Sequence, residues 1–203
     1  MAERPKRSRK KLIIILTIAV VIVGGSVALA LAAVSASAAT VAGAKIEDTT
    51  TVGTQNLVLN GSALRKKFVV KVYVGALYLP SKQSNAAAIL AADAPRRQVM
   101  HFLYDVGKKK MAEAWEEGLE ANTPNASAEV KSAFQKLSSW MEDMKEGQRI
   151  VLTYVPGTGT TVEVNGHGKG TLPGKAAADA ILNTWIGPKP GPGADFKKGV
   201  LGL

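Results

Sequence analysis

The stretch Phe68–Leu79, FVVKVYVGALYL, constrains the fold more than any other part of the chain. It is dense in β-branched and aromatic residues, the signature of a strand. Both of its alternating faces are largely apolar. A strand with one wet face would alternate apolar with polar, so this run predicts a central strand covered on at least part of each side. Pro80-Ser81 ends it.

The rest of the chain alternates strand and helix patterns. Residues 39–54 are Ala/Thr/Gly-rich, with a short strand expected at Ala44–Thr51. Asn56–Ser62 reads as a strand, set apart from Arg65–Leu79 by a bend near Gly61–Arg65. Asn85–Ala92 reads as a short helix and Arg96–Tyr104 as a strand. Lys108–Asn122 is predicted helical, with Met111, Trp115 and Leu119 on one stripe and acids opposite. Ser127–Met144 carries the clearest helical stripe (Val130, Phe134, Leu137, Met141, Met144), with Ser127 as its cap. Arg149–Val155 and Thr160–Asn165 read as strands. Asn165-Gly166 is a strong hairpin signal leading to a third strand near His167–Thr171. A helix is expected from Pro173 to about Trp185, then a Gly/Pro loop over Gly187–Gly193 and a closing helical segment at Ala194–Leu201. Hairpins with helices grouped between them predict an α+β fold with a mostly antiparallel sheet.

Charge locates a separate leader. The chain has 203 residues, 26 Lys+Arg, 16 Asp+Glu, two His and no Cys. Residues 1–38 carry half of the net +10, because ERPKRSRKK at 3–11 holds six bases against Glu3. Residues 12–34 hold no charge, and Ser35-Ala36-Ser37-Ala38 follows. A charged start, an apolar run and an A-x-A end predict a secretory signal cleaved after Ala38. The alternative is a retained anchor, since an apolar run of 23 residues is long enough for a ~30 Å bilayer core. Both readings put the domain at 39–203 outside the cytoplasm, periplasmic or secreted, with residues 1–38 as signal peptide or inner-membrane anchor. The membrane is engaged only through this segment.

Composition excludes several chemistries. With no cysteine there is no disulfide framework, thiolate metal site or thiol nucleophile. His101 and His167 form no metal motif, and nothing in the chain calls for a metal or another cofactor. The remaining charge excess shows no basic stripe with interleaved aromatics, so no nucleic-acid partner is expected. Gly157-Thr158-Gly159 and Gly166–Gly170 lie in hairpins, the wrong context for a phosphate loop. Glu113, Glu116, Glu117 and Glu120 read as a solvated helix face.

One pair suggests a site. Arg65 opens the Arg65–Leu79 segment, which also carries Lys71 and Tyr73. A guanidinium fork and a phenol on one face would hold an anion well. In a straight strand they would stand ~26 Å apart, so a shared ligand requires a bend or bulge near 65–68. The competing reading is that Arg65-Lys66-Lys67 is a solvated basic turn.

An ordered series of segments resembles the bacterial chalcone isomerase-like proteins. It comprises Leu59–Phe68 with Lys71-Val72-Tyr73 and Ala76–Pro80, Ala114–Leu119 with Asn122, Tyr154–Thr160 with Val164-Asn165-Gly166, and Ile181-Leu182, Trp185-Ile186-Gly187 and Leu201-Gly202. The resemblance implies an antiparallel sheet covered by a helix layer on one face, with a ligand cleft between. It also implies Arg65 at the position of the enzymes' arginine, with Tyr73, Lys110, Glu117 and Ala178 where the enzymes carry neutral hydrogen-bonding groups. Four of five positions differ, so chalcone cyclisation is not expected. Arg65 with Tyr73 suits a carboxylate head group, as in the family's fatty-acid-binding branch. The expected function is an exported, non-catalytic binder of a small apolar ligand such as a fatty acid, with Arg65, Tyr73, Lys110 and Glu117 as binding residues. One alternative is an intramolecular isomerase or lyase using Arg65 and Tyr73. Another is a partner-binding domain, favoured if Trp115, Phe134 and Trp140 fill the cleft.

Overall fold

In the computed structural model, which describes residues 38–203, the alternating runs become strands and the 3.6-period stripes become helices. The chain order is β1 (Ala38–Val41), β2 (Ala44–Glu47), β3 (Thr49–Val52), β4 (Gln55–Lys67), β5 (Val70–Leu79), α1 (Ala86–Ala91), β6 (Arg96–Phe102), α2 (Lys108–Asn122), α3 (Ala128–Ser139), β7 (Arg149–Val155), β8 (Gly159–Val164), β9 (His167–Leu172), α4 (Lys175–Ile186) and α5 (Ala194–Val200). The leader expected over residues 1–38 lies outside the described residues, Ala38 excepted.

Strands β3 to β9 form one seven-stranded sheet in sequence order, every neighbouring pair antiparallel. β1 and β2 form a separate hairpin. β5 lies between β4 and β6, and both of its faces are covered, as its composition requires. Tyr73, Leu77 and Leu79 join the main core with the helices. Val74, Ala76 and Tyr78 join a second cluster with Ala44 and Ile46 of β2, Val52 of β3 and Leu57 of β4. Val74 and Leu77 are both 0% exposed, and side chains of this size contribute up to ~1.5–3 kcal/mol each on burial.

The helices follow their apolar stripes. Met111, Trp115 and Leu119 of α2 are buried, and bare Gly118 lets Thr184 of α4 approach closely. Lys108, Lys109 and Lys110 sit unfavourably at the positive end of α2, but the Lys108 backbone N–H donates to the Asp143 carboxylate at 2.8 Å, which brings a negative charge to that end. In the β8–β9 turn, Asn165 and Gly166 have φ of 50° and 78°, the left-handed pair that a two-residue hairpin needs.

Three expectations are corrected. The strand expected over Ala44–Thr51 is broken at Asp48, and its halves belong to different sheets. The helix expected to reach Met144 stops at Ser139, because Met144 leaves the helix to bridge Val106 with two backbone hydrogen bonds. Met141 and Met144 are still buried; they fill the core from a loop. Finally, the chain does not bend near Gly61–Arg65 to begin a strand there. β4 continues to Lys67 with an irregularity at Asn60, and the reversal comes at Phe68-Val69. Arg65 therefore lies near the end of β4, two residues before Lys67; it does not open β5.

Candidate functional site

The Phe68-Val69 reversal sets the site geometry. It places Arg65 directly across from Tyr73 in the β4–β5 register, with a shift just beyond, between Arg65 and Lys66. Cross-strand neighbours have Cα atoms ~4.5–5.5 Å apart. The separation of a straight strand is thereby removed, and both side chains lie on the helix-covered face of the sheet. Lys71 of β5 is exposed.

Tyr73 sits at the bottom of an aromatic cluster. Its ring lies 5.8 Å from Phe102 of β6, 6.4 Å from Trp185 of α4 and 5.7 Å from Phe196 of α5. Trp185 and Phe196 meet edge to face at 5.1 Å, a favoured aromatic geometry. Gly75 makes this possible: a Cβ there would run into both the Phe196 and Trp185 rings. Burial pushes the Tyr73 phenol far above the ordinary tyrosine range, and the Arg65 charge and Trp185 offset this only in part. At neutral pH Tyr73 is thus an O–H donor and not a phenolate.

Arg65 stands half-buried at the edge of this cluster. Its Nη1 donates to the Pro192 carbonyl at 2.8 Å, in the loop before α5. Among the described residues Arg65 has no carboxylate partner. A guanidinium held by one neutral acceptor keeps most of its donors for an anion.

The other sequence-derived positions stand apart. Lys110 and Glu117 are exposed on α2, away from its buried stripe and outside the Arg65–Tyr73 cluster. Ala178 is buried in α4. The interface between sheet and helices is closely filled: Trp115 and Phe134 are 4% and 1% exposed, and Trp140 packs against the same core. Sequence reasoning missed Trp185 and Phe196 as surroundings of Tyr73 and Pro192 as the partner of Arg65. The two rings were signalled only by the aromatic content of the last two helical segments.

The same face carries a structural ion network. Arg96 of β6, 3% exposed, pairs with Asp179 of α4, which also pairs with Lys175. The Arg96 guanidinium lies 4.8 Å from the centre of the Tyr154 ring, and the Tyr154 hydroxyl donates to Asp93 at 2.6 Å. These contacts tie α4 to the centre of the sheet.

Comparison with known proteins agrees with this architecture. A family model described as chalcone isomerase-like matches residues 38–202. Among solved structures, the crystal structure of an Arabidopsis thaliana fatty-acid binding protein superposes with a TM-score of 0.61 at 16% identity, covering 81% of this chain and 96% of that one. No curated protein matches the chain.

Proposed function

The chain belongs to the chalcone isomerase-like family, and from that premise we propose that it is a non-catalytic binding protein for a small apolar carboxylic acid such as a fatty acid. The observation that carries this reading is the Arg65–Tyr73 pair. A half-buried guanidinium with only the neutral Pro192 carbonyl as acceptor faces a phenol across one hairpin. An incoming carboxylate takes the donors that Pro192 leaves free and adds an ion pair to the hydrogen bonds, bidentate where the guanidinium fork allows it. Tyr73 adds a neutral O–H donor. Its raised pKa makes it a poor proton-transfer group near neutrality, which favours binding over isomerisation. The acyl chain enters by displacing Phe196, carried on the seven-residue α5 behind a Gly/Pro loop. The similarity to a fatty-acid binding protein supports the ligand class.

The test is a titration of the full chain with laurate and with lauryl alcohol, followed by tryptophan fluorescence. Laurate should bind at least about tenfold tighter, and Arg65→Ala should abolish the difference. An Arg65→Ala protein with unchanged affinity for every acyl carboxylate would sink the head-group role. The filled sheet–helix interface favours a second reading, a partner-binding domain without a small ligand. A clean apo mass by native mass spectrometry throughout an acyl-acid series would support it.

The proposal includes export. The basic start, apolar run and small residues at 35–38 support cleavage after Ala38, with a retained anchor as the alternative. Such cleavage removes only the outermost rung of the β1–β2 hairpin, Ala38 opposite Glu47. A mature mass beginning at Ala39 would establish it, and an intact chain in the membrane fraction would favour the anchor.

A further inference from the structure

The face of the sheet opposite the helices holds a cavity of about 160 Å³ beneath the β2–β3 segment. Its principal walls are Tyr78 of β5, Arg97, Val99 and His101 of β6, and Arg149 and Val151 of β7. The β6–β7 register builds it from three rungs: Arg97 opposite Thr153, Val99 opposite Val151, and His101 opposite Arg149. Two cationic rungs thus flank an apolar one.

The hydrogen bonds leave the positive charge uncompensated. Arg97 donates through Nε to Thr153 Oγ1 at 2.9 Å and through Nη1 to Thr50 Oγ1. Arg149 Nε donates to His101 Nδ1 at 3.2 Å, which places the proton of neutral His101 on Nε2 as a further donor. The Tyr78 hydroxyl donates to the Glu47 carbonyl at 2.8 Å. Burial and the Glu47 charge push the Tyr78 phenol up to about 12, and Arg149 and Arg97 offset this only in part; Tyr78 stands directly opposite Arg97 in the β5–β6 register. Among the described residues neither arginine has a carboxylate partner, and the one acid lining the cavity, Glu47, pairs with Lys45 at 2.8 Å. Two guanidiniums thus stand at opposite ends of an apolar floor, each held by neutral acceptors and with donors left for an anion.

We infer that this cavity binds a compact organic carboxylate, its head group between Arg97 and Arg149 and its body, about one ring in size, against Val99 and Val151. The volume suits such a body: an apolar cavity of ~150 Å³ in another protein takes up benzene. The site lies on the opposite face of the sheet from Arg65 and does not depend on the function proposed there.

The test is an NMR titration of the full chain in detergent micelles, following the His101 ring resonances with benzoate, benzyl alcohol and inorganic phosphate. Benzoate should shift them saturably and raise the His101 pKa, which burial and Arg149 now hold below its ordinary value. The alcohol and phosphate should each bind about tenfold or more weakly. Arg149→Gln, at an exposed position, and Arg97→Gln should each weaken benzoate by about tenfold or more. Benzoate shifts that fail to saturate, that persist in Arg149→Gln, or that are matched by the alcohol or by phosphate overturn the inference. Loss of the shifts in Arg65→Gln would assign benzoate to the other face and overturn it equally.

Discussion

Replacing Asn60 by alanine should destabilise the domain by ~2–3 kcal/mol, a large effect for one small polar side chain. Asn60 lies in the irregularity of β4, between the Leu59–Tyr78 and Gly61–Leu77 pairs, and is 1% exposed. Its Nδ2 donates to the Val200 carbonyl at 2.9 Å, and its Oδ1 accepts from the Gln83 N–H at 2.7 Å. Val200 ends α5, where carbonyls have no partner within the helix, and it is 0% exposed. Alanine therefore leaves a buried acceptor unpaired, at ~1–3 kcal/mol. Gln83 is exposed, so its N–H recovers water and adds only ~0.5 kcal/mol. Gly61 brings the helix end this close, because a Cβ there would overlap the carbonyls of Gly199 and Val200. For a domain of this size the melting temperature should fall by roughly 4–10 °C. Urea unfolding followed by circular dichroism, with equal slopes for both proteins, gives the difference directly. Thr51→Ala is the control: it removes an exposed hydrogen bond of 3.0 Å to Asn56 and should change stability by less than ~0.5 kcal/mol. If the two substitutions have the same effect, the Val200 carbonyl has another partner and the reasoning fails.

Asp179→Ala should destabilise by ~3 kcal/mol, since it strands the buried Arg96 guanidinium. Adding Arg96→Met should restore most of the loss, and thermal melts that show no recovery would mean the cost lies elsewhere. Phe68→Asn should stabilise by ~0.5–1 kcal/mol, because Phe68 holds φ at 55° while 92% exposed, a left-handed conformation that asparagine tolerates better; an unchanged urea midpoint would refute this. Burial, with Glu47 beside Tyr78 and a hydrogen bond to Asp93 for Tyr154, pushes both phenols up to about 12. Above the unfolded value of 10 the unfolded chain releases these protons first, so stability should hold below pH 10 and fall between pH 10 and 12. A flat urea midpoint across that window would contradict the assignment.

Much of the sheet was legible because its periodicity leaves little choice. β5 arises where β-branched and aromatic residues are dense, β6 where apolar and polar positions alternate and α2 where the 3.6-residue stripe is strong, and Asn165-Gly166 marks its own hairpin. The Phe68-Val69 reversal was not legible. Neither residue is a turn former, both favour strands, and the turn is made by holding Phe68 in a conformation it disfavours. Arg65 and Tyr73 were therefore both identifiable as chemistry, while their juxtaposition was not. The α3 boundary was hidden for a related reason: Met141 and Met144 keep the helical phase of the apolar stripe after the helix has ended. The cationic cavity combines residues from β5, β6 and β7, each unremarkable on its own strand, and only the register assembles them.

The contact between Asn60 and Val200 spans 140 residues, and that between Arg65 and Pro192 spans 127. During synthesis the β4–β5 hairpin exists long before either partner. Its Tyr73 face lacks Phe196 and its irregularity lacks the Val200 carbonyl until the segment from Pro192 to Val200 has been made. Contacts of such long range slow folding and prolong the exposure of apolar strands. The centre of the sheet is thus completed late, by residues more than a hundred positions further along the chain.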